Sequence, residues 1–325
     1  MKRQMIVLSG LLLCILFVGC KRDRFRIKGE PKTWMQVVRF DQAFHETGRF
    51  EDTAFLELYA NDIMQIGASN SLSFYKFLEM FRNDPDIQQI YDDCQVRFEE
   101  LSALEAQLSW GFYRLSAFVP SMPAPSIYAH ISGMGSSIVT APGMASISLD
   151  KYLGSSYALY ASFFEPYQVV RMRPEGIAPD LLQAWVRSEY PTERYLQNNR
   201  LLDFLIYEGK MHFVTHLCLP EIPLHYVFGF TEDQLNWCKV HEATMWETLL
   251  EQQHLYTTDP ATIGHYIHEA PYTRYFPETS PGRATLWIGY QIVQKYMEKN
   301  KKVTIEDLLF HSSTTSILTA SGYQR

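Results

Sequence analysis

One stretch of the sequence places three potential metal ligands at intervals of four residues. Glu208, His212 and His216 would share one face of a helix, because each step of four residues rotates the side-chain direction by only about 40°. Two imidazoles one turn apart, with a carboxylate one turn earlier, can bind zinc. The alternative, which we favour, is a Glu–His ion pair with the other histidine on the surface. The sequence therefore predicts no metal and no other cofactor, with a rearranged zinc site at these three residues as the weaker alternative.

A second stretch nearly reproduces the signature of zinc peptidases. His241 and Glu242 match the first half of His-Glu-x-x-His, in which two imidazoles hold the metal and the glutamate activates water. Met245 stands where the second histidine is required, so this stretch predicts an amphipathic helix face. Two histidines and a glutamate within residues 265–269 are interpreted as a polar cluster near a loop.

A third stretch combines open amides with an arginine at the start of a predicted helix. Residues 280–283 read Ser-Pro-Gly-Arg, and such a helix start suits an anion. The competing interpretation, which we favour, is a helix cap in which Arg283 pairs with a carboxylate. This segment and the helix around Glu208 together define a candidate binding cleft. Its predicted residues are Glu208, Gly209, Lys210, Ser280, Gly282, Arg283 and Trp287.

These residues depend on a mostly helical framework. Apolar residues recur with a helical period over 34–44, which predicts a first helix there. Asp84-Pro85 is a good helix start, and the helix that it opens is predicted to continue to about Trp110. Thr231 and Gln234 form a capping box for a later helix. Gly209 inside its helix costs about 1 kcal/mol relative to alanine, which indicates close packing of a neighbouring backbone or aromatic ring.

A small sheet interrupts the helices. After a proline-rich break, extended runs at 127–131, 137–140 and 145–149 predict three or four strands. Helices return after Leu153. The predicted fold class is α+β and mostly α, with a small central sheet in a single domain over residues 33–325.

The N-terminus resembles a bacterial lipoprotein signal. A basic start and an apolar run from Met5 to Val18 precede Gly19 and Cys20. The run is shorter than the roughly 20 apolar residues that span a bilayer. We predict a signal peptide over residues 1–19, lipidation of Cys20 and a linker over 20–32. The alternative is an ordinary secretory peptide in which the cysteine is incidental, since the lipobox leucine is replaced by Phe17.

The composition limits the classes of molecule that the protein is expected to bind. The net charge of −7 argues against general nucleic-acid binding. The basic residues that follow Cys20 could rest on anionic headgroups or form a merely solvated tether. Cys94, Cys218 and Cys238 remain after the signal and the lipid site, and we predict that they are buried as small hydrophobes. The predicted location is the cell envelope, on a membrane face that looks into the periplasm.

Several segments of the far half of the chain occur together in a specific order and spacing. They are Phe163–Tyr167, Ile206–Lys210, Gly229–Trp237, Leu255–Asp259, Ala270–Tyr272, and Ser280–Arg283 leading to Trp287–Val293. With them, the chain resembles the gliding-motility lipoprotein B (GldB) family of Bacteroidetes, over about Ile147 to Tyr323 together with the signal. The resemblance implies a role in gliding motility and the associated secretion machinery, with other envelope proteins as partners.

This family in turn resembles zinc-dependent peptidase-like domains, which implies a zincin-like scaffold. In those domains a His-Glu-x-x-His helix precedes a Glu-Gly helix that supplies the third ligand. Glu208-Gly209 matches the second element, whereas residues 181–190 contain no histidine where the first is expected. The resemblance thus implies a non-catalytic scaffold or partner-binding module. A hydrolase with a rearranged metal site at Glu208, His212 and His216 is the alternative. A third possibility is the binding of a peptide or another ligand in the former active-site cleft, beside Glu208 and Arg283. A pocket lined by Trp185, Tyr207 and Trp287 would favour it.

Overall fold

A four-stranded mixed sheet lies at the centre of a mostly helical chain. The computed structural model describes residues 24–47, 50–192, 196, 198–311 and 313–324. The strands are β1 (Val37–Arg39), β2 (Ser126–His130), β3 (Ile138–Ala141) and β4 (Met144–Ser148). They lie in the order β1-β2-β4-β3, with β1, β2 and β4 parallel and β3 antiparallel to β4. The predicted α+β, mostly α, class is confirmed.

Helices contribute apolar residues to the clusters on both faces of this sheet. They are α1 (Phe40–Thr47), α2 (Thr53–Leu58), α3 (Leu72–Asn83), α4 (Pro85–Arg97), α5 (Ser102–Phe118), α6 (Pro166–Val169), α7 (Ile177–Glu189), α8 (Leu201–Cys218), α9 (Leu224–Phe228), α10 (Glu232–Val240), α11 (Glu242–Glu251), α12 (Pro260–Ile267), α13 (Leu286–Lys299) and α14 (Thr314–Ser321). The predicted caps are confirmed at α4, where Asp84 accepts amide bonds, and at α10, where Thr231 and Gln234 form the capping box.

Two predictions about the N-terminal half are wrong. Val37–Arg39 is a strand rather than part of a helix, because its β-branched residues pair with β2 and the Val37 amide donates to Glu105 (2.9 Å). The helix that begins at Pro85 ends at Arg97, and a separate helix begins at Ser102. The periodic pattern continues across this break, so the sequence alone did not reveal it.

The sheet separates two apolar clusters. Ile127 and Ala129 of β2 belong to the main core, whereas Tyr128 between them packs in a smaller cluster with Phe55. This alternation follows from the two-residue period of a strand. The small cluster lies against α1 to α3, and the main core contains the C-terminal helices. The site described below belongs to the main-core side.

Helices α8 and α13 pack backbone to backbone. A Cβ atom at Gly209 would overlap the carbonyl of Gly289, and a Cβ at Gly289 would overlap the carbonyl of Leu205. Both positions therefore require glycine, and the predicted close approach at Gly209 is confirmed. This contact fixes which side chains of α13 lie beside each face of α8.

The remaining features concern cysteines and the N-terminus. Cys94, Cys218 and Cys238 are free and buried, as predicted. Within the described part of the chain, no helix combines the length and the apolar character needed to cross a bilayer. Cys20 and the signal lie outside the described residues. In the predicted linker, Phe25 packs edge to face on Phe213 (ring centroids 6.0 Å apart).

Candidate functional site

A cleft of about 440 Å³ opens beside the carboxyl ends of parallel strands β2 and β4. In open α/β sheets ligands bind outside these strand ends. Helices α7 and α8 form one wall, and the turn after β4 and the segment before α13 form the others. We call it the charged cleft. Its charged lining residues are Lys151, Arg171, Asp180, Arg187, Glu208, Glu269 and Arg283.

Glu208 is held by an arginine of the neighbouring helix. The Arg187 guanidinium donates to both carboxylate oxygens, over 2.7 and 2.6 Å. Such a bidentate pair is a strong, geometrically specific interaction. Burial raises the pKa of Glu208, but the charge and hydrogen bonds of Arg187 more than offset this and leave it below its ordinary value. Glu208 therefore remains ionised, with both oxygens engaged.

A second arginine bridges two other carboxylates that line the cleft. Arg171 donates to Asp180 (3.1 Å) and to Glu269 (2.6 Å). The charge of Asp180 raises the pKa of Arg171 above its ordinary range. Burial raises the pKa of Glu269, but Arg171, Arg283 and Lys151 together lower it below its usual value. Three cationic side chains thus surround one carboxylate, and Arg171 is the one that bonds to it.

Lys151 and Arg283 supply positive charge without a direct ion pair. Lys151 is only 5 % exposed, and its ammonium lies 3.6 Å from the ring centroid of Phe164. Arg283 donates a long bond to the carbonyl of Phe228 (3.4 Å). Among the described residues, neither cation forms an ion pair with a carboxylate. The prediction that Arg283 pairs with a carboxylate is wrong, because Arg187 and Arg171 already hold the acidic groups that line the cleft.

Burial shifts the proton affinity of both cations. It lowers the pKa of Lys151 to about 8, although Asp150 and Glu269 raise it. It also lowers the pKa of Arg283 to about 10, with the charge of Arg171 acting in the same direction. Both groups carry positive charge at neutral pH.

The backbone that presents Lys151 is fixed by Asp150. The Asp150 carboxylate accepts from the amide of Met134 (2.6 Å), from the amide of Ser132 (3.0 Å) and from the hydroxyl of Ser148 (2.7 Å). These bonds tie the loop after β2 to the turn after β4. Lys151 is therefore positioned by a rigid, buried network rather than by a free loop.

The backbone that presents Arg283 is strained and fixed. Arg283 has φ = 61°, a left-handed conformation that costs a non-glycine residue about 1–2 kcal/mol. Thr273 holds the segment, because its hydroxyl donates to the carbonyl of Pro281 (2.8 Å) and accepts from the amide of Ala284 (3.0 Å). At Gly282 a Cβ atom would overlap the carbonyl of Ala270. Tertiary contacts thus hold the arginine in the cleft despite the strain.

The predicted metal ligands do not converge. His212 lines the charged cleft, where its Nδ1 bonds to the carbonyl of Glu208 (2.6 Å) and its ring stacks on Phe228 (4.3 Å). His216 instead bonds to the hydroxyl of Tyr290 (2.7 Å) in a different cavity. Burial lowers the pKa of His212 to about 4, although Glu208 raises it. Within the described residues, no group of three His, Cys, Asp or Glu side chains is placed to hold a metal ion.

The predicted cleft residues divide into two groups. Glu208 and Arg283 line the charged cleft. Gly209, Lys210, Ser280, Gly282 and Trp287 do not. Successive helix residues point about 100° apart, so Gly209 faces α13 and Lys210 lines a separate cavity. There the Lys210 ammonium donates to the hydroxyl of Tyr190 (3.0 Å).

The other members of that second group have structural contacts. Ser280 accepts from the amide of Thr273 (3.2 Å), and the indole of Trp287 donates to Glu242 (3.0 Å). Gly282, next to Arg283, packs on the backbone of Ala270. Among the residues described, Ser280 and Trp287 are thus buried away from the cleft.

The expected aromatic lining is also different. Trp185 is fully buried and donates to the carbonyl of Pro123 (2.9 Å), while Tyr207 donates to the carbonyl of Tyr190 (2.8 Å). The aromatic rings that line the charged cleft belong to Tyr152, Phe164 and Phe228.

The partial peptidase signature has a structural role. His241 stacks on Trp237 (4.2 Å), and Glu242 is buried, where it accepts from Tyr323 (2.9 Å). In the 265–269 cluster, His265 bonds to Arg274 (3.1 Å), whereas Glu269 faces the charged cleft. Only this glutamate of the cluster lines the site.

Sequence reasoning missed several residues of the cleft. Asp180, Gln183 and Arg187 are spaced three and four residues apart on α7 and line it together. This polar stripe in an apolar helix is a readable signal. Lys151 and Arg171 offered none, because both lie outside the α-helices, where spacing along the chain does not show which side chains share a face.

The chain matches the family model described as "Gliding motility protein GldB" over residues 23–325. The match includes the N-terminal helices as well as the half in which the resemblance was seen. Comparison with the curated proteins found no match. Comparison with the solved structures found none either. Because the family model covers nearly the whole chain, this protein belongs to the gliding motility protein GldB family.

Proposed function

We propose that this protein is a lipid-anchored envelope component of the gliding motility machinery and its associated secretion apparatus. It acts as a partner-binding module rather than as an enzyme. Family membership supports the motility role, and the Gly19-Cys20 signal supports the anchor. Envelope proteins of the same machinery are the expected partners, and the periplasm is the expected compartment.

The observation that carries the non-catalytic assignment is the Arg187–Glu208 pair. Gln183 and Arg187 are four residues apart on α7 and face the cleft with Glu208, the spacing of the two imidazoles in His-Glu-x-x-His. Ala184 then stands where that motif has its glutamate. We propose that these positions descend from a zincin-like site in which a guanidinium has replaced the metal.

The chemistry of the side chains supports this interpretation. A guanidinium stays protonated in proteins and offers no lone pair to a metal. It also occupies both Glu208 oxygens. Ala184 cannot act as a base towards water. The donors that zinc would need are therefore replaced or engaged, and they do not fit the ion.

The alternative hypothesis, a zinc-dependent hydrolase, is tested by a different experiment. It requires metal at Glu208, His212 and His216, although His216 bonds to Tyr290 in another cavity. Metal analysis of the purified protein would contradict the binding-module proposal if it found near-stoichiometric zinc that was lost on mutation of His212 or His216. Metal-dependent peptide cleavage abolished by Glu208→Gln would contradict it as well.

The binding role is tested by filling the cleft in cells. Ala184 lines the charged cleft and is partly buried, so Ala184→Phe should block it. Ala103→Phe places the same side chain at an exposed helix position and is the control. A deletion strain complemented with each variant is scored for colony spreading and for secreted proteins.

We expect Ala184→Phe and Cys20→Ala to lose spreading, while Ala103→Phe restores it. Immunoblots check that each variant accumulates to the wild-type level. Full spreading with Ala184→Phe at normal abundance would overturn the role of the cleft, and full spreading with Cys20→Ala would overturn the role of the anchor.

A further inference from the structure

More cationic than acidic side chains line the charged cleft. Four cationic and three acidic side chains line it. Arg187 forms an ion pair with Glu208, and Arg171 forms ion pairs with both Asp180 and Glu269. Lys151 and Arg283 are left without an ion pair among the described residues, in a chain whose net charge is −7.

These two cations lack an ion pair among the described residues, and a ligand anion would supply one. Lys151 is more than nine-tenths buried, and its ammonium contacts the face of Phe164. Burying a charge without a partner is unfavourable. Arg283 is held in the cleft by a strained backbone, and such strain persists only where surrounding structure imposes it and clusters at binding sites.

Glu269 places a carboxylate of the protein itself beside these cations. Its carboxylate is stabilised by Arg171, Arg283 and Lys151 together, but it bonds directly to Arg171. A carboxylate is therefore already favourable beside these cations. The guanidinium of Arg283 bonds to the carbonyl of Phe228 but forms no ion pair among the described residues, and its planar fork matches a second carboxylate.

The charge balance favours a monoanion over phosphate. Among the side chains that line the cleft, four cations face three acidic groups, and the buried Asp150 next to Lys151 adds further negative potential. A dianionic phosphate would face repulsion from Asp180, Glu208 and Glu269. Phe164, Met172 and Phe228 form an apolar wall beside the charges, which suits a side chain next to the carboxylate.

We infer that the charged cleft binds the C-terminal carboxylate of a polypeptide, with Lys151 and Arg283 as its direct partners. This inference rests on the proposed binding role of the cleft and specifies its ligand. The volume of about 440 Å³ lies within the range of small-ligand pockets, and it suits the last residues of a chain.

Binding can be measured with fluorescent peptides. Full-length protein in detergent micelles is titrated against a fluorescein-labelled pool of random pentapeptides with free C-termini. The same pool with amidated C-termini is the matched probe. Sodium acetate and inorganic phosphate serve as unlabelled competitors, and anisotropy reports the bound fraction.

We expect the free-acid pool to bind at least tenfold more tightly than the amidated pool. Lys151→Met and Arg283→Gln should each weaken binding about tenfold, since each removes a charge-assisted hydrogen bond. Glu269→Gln should strengthen it several-fold, because it removes a competing negative charge. Lys239→Met, a change at an exposed helix position, should leave it unchanged.

Several outcomes would overturn the inference. If the amidated pool binds as tightly as the free-acid pool, the cleft does not recognise a terminal carboxylate. Stronger competition by phosphate than by acetate would assign a phosphate ligand. Acetate that binds as tightly as the pool would assign a free small carboxylate.

Folding and function are checked separately. Thermal unfolding identifies a variant that fails to fold, and Arg283→Gln and Glu269→Gln test the site independently of Lys151→Met. If the peptides fail to bind while Ala184→Phe still abolishes spreading, the carboxylate inference falls and the binding role stands. If Ala184→Phe leaves spreading intact, the binding role itself falls.

Discussion

The two sides of α8 show how differently one helix can use similar residues. On one side, Glu208 and His212 face the charged cleft. On the other, Phe213 and His216 line an apolar groove of about 780 Å³ next to Phe25. The cleft carries seven charged side chains, whereas aromatic and aliphatic groups form most of the groove. The histidines are one turn apart, yet they belong to different sites.

The crossing with α13 explains this division. Gly209 and Gly289 let the two backbones touch, which brings Tyr290 within 2.7 Å of His216. On the cleft side, α9 brings Phe228 against His212. Spacing along the helix predicts a shared stripe, but the neighbouring elements decide the direction of each ring.

The largest effect is expected from breaking the contact that separates the two sides. Gly289→Ala places a methyl group against the carbonyl of Leu205, so α8 and α13 must move apart. We expect a loss of about 3 kcal/mol in the free energy of unfolding, measured by urea denaturation. Gly264→Ala is the control, since the three atoms nearest to a Cβ there all belong to the side chain of His268 and not to a backbone. Equal stability of the Gly289 variant would contradict the backbone contact.

A smaller effect is expected from the ion pair on the cleft side. Glu208→Gln leaves the Arg187 charge without its carboxylate, and we expect a loss of about 2 kcal/mol, less than for a fully buried pair because both side chains are partly exposed. Combining it with Arg187→Gln should cost less than the sum of the single changes. A double-mutant cycle of unfolding free energies measures this coupling. Strict additivity would mean that the pair contributes nothing.

The backbone strain at Arg283 gives the next effect. Arg283→Gly relieves the left-handed conformation and should stabilise the fold by about 1 kcal/mol. Arg283→Gln removes the same charge but keeps the strain, so the difference between the two variants isolates the backbone contribution. Thermal unfolding reports it. A glycine variant no more stable than the glutamine variant would exclude strain at this position.

The smallest effect near neutral pH concerns the two histidines. Burial lowers the pKa of His212 to about 4 and lowers that of His216 as well. Between pH 6.5 and 4 the unfolded chain binds more protons than the folded one at His212, so stability falls as the pH drops through this window. Above pH 6.5 His212 is neutral in both the folded and the unfolded state, so it no longer makes the free energy of unfolding depend on pH.

Ring NMR signals of the two histidines measure this directly. We expect His212 to titrate near pH 4, and His212→Phe should reduce the loss of stability between pH 7 and 5. His311→Phe, at an exposed position, is the control. Titration of His212 at its ordinary value would contradict its burial against Phe228.

The sequence predicted local features well and spatial partners poorly. The three strands around residues 126–148, the caps of α4 and α10 and the close approach at Gly209 follow from local periodicity, turn chemistry and helix propensity. Strand β1 was missed, because three residues are too few to show a period and only pairing with β2 defines them.

For the candidate site, the sequence identified Glu208 and Arg283 but gave them the wrong neighbours. Arg283 was expected to pair with a carboxylate, whereas Arg187 and Arg171 hold those groups. The polar stripe of α7 is visible in the sequence, because Asp180, Gln183 and Arg187 are spaced three and four residues apart in an apolar helix. Lys151 could not be found, since its meaning depends on a cleft that lies between distant segments.

The sequence by itself determined the family, the mostly helical class and the chemical types available to the site, because these depend on composition, local order and motif. Only the tertiary structure decided that a guanidinium faces Glu208, that His212 and His216 line different cavities, and that Lys151 and Arg283 line one cleft. Periodicity fixes a side chain's direction about its own helix axis. Helix crossings and strand ends, which join residues far apart in the chain, fix what that side chain meets.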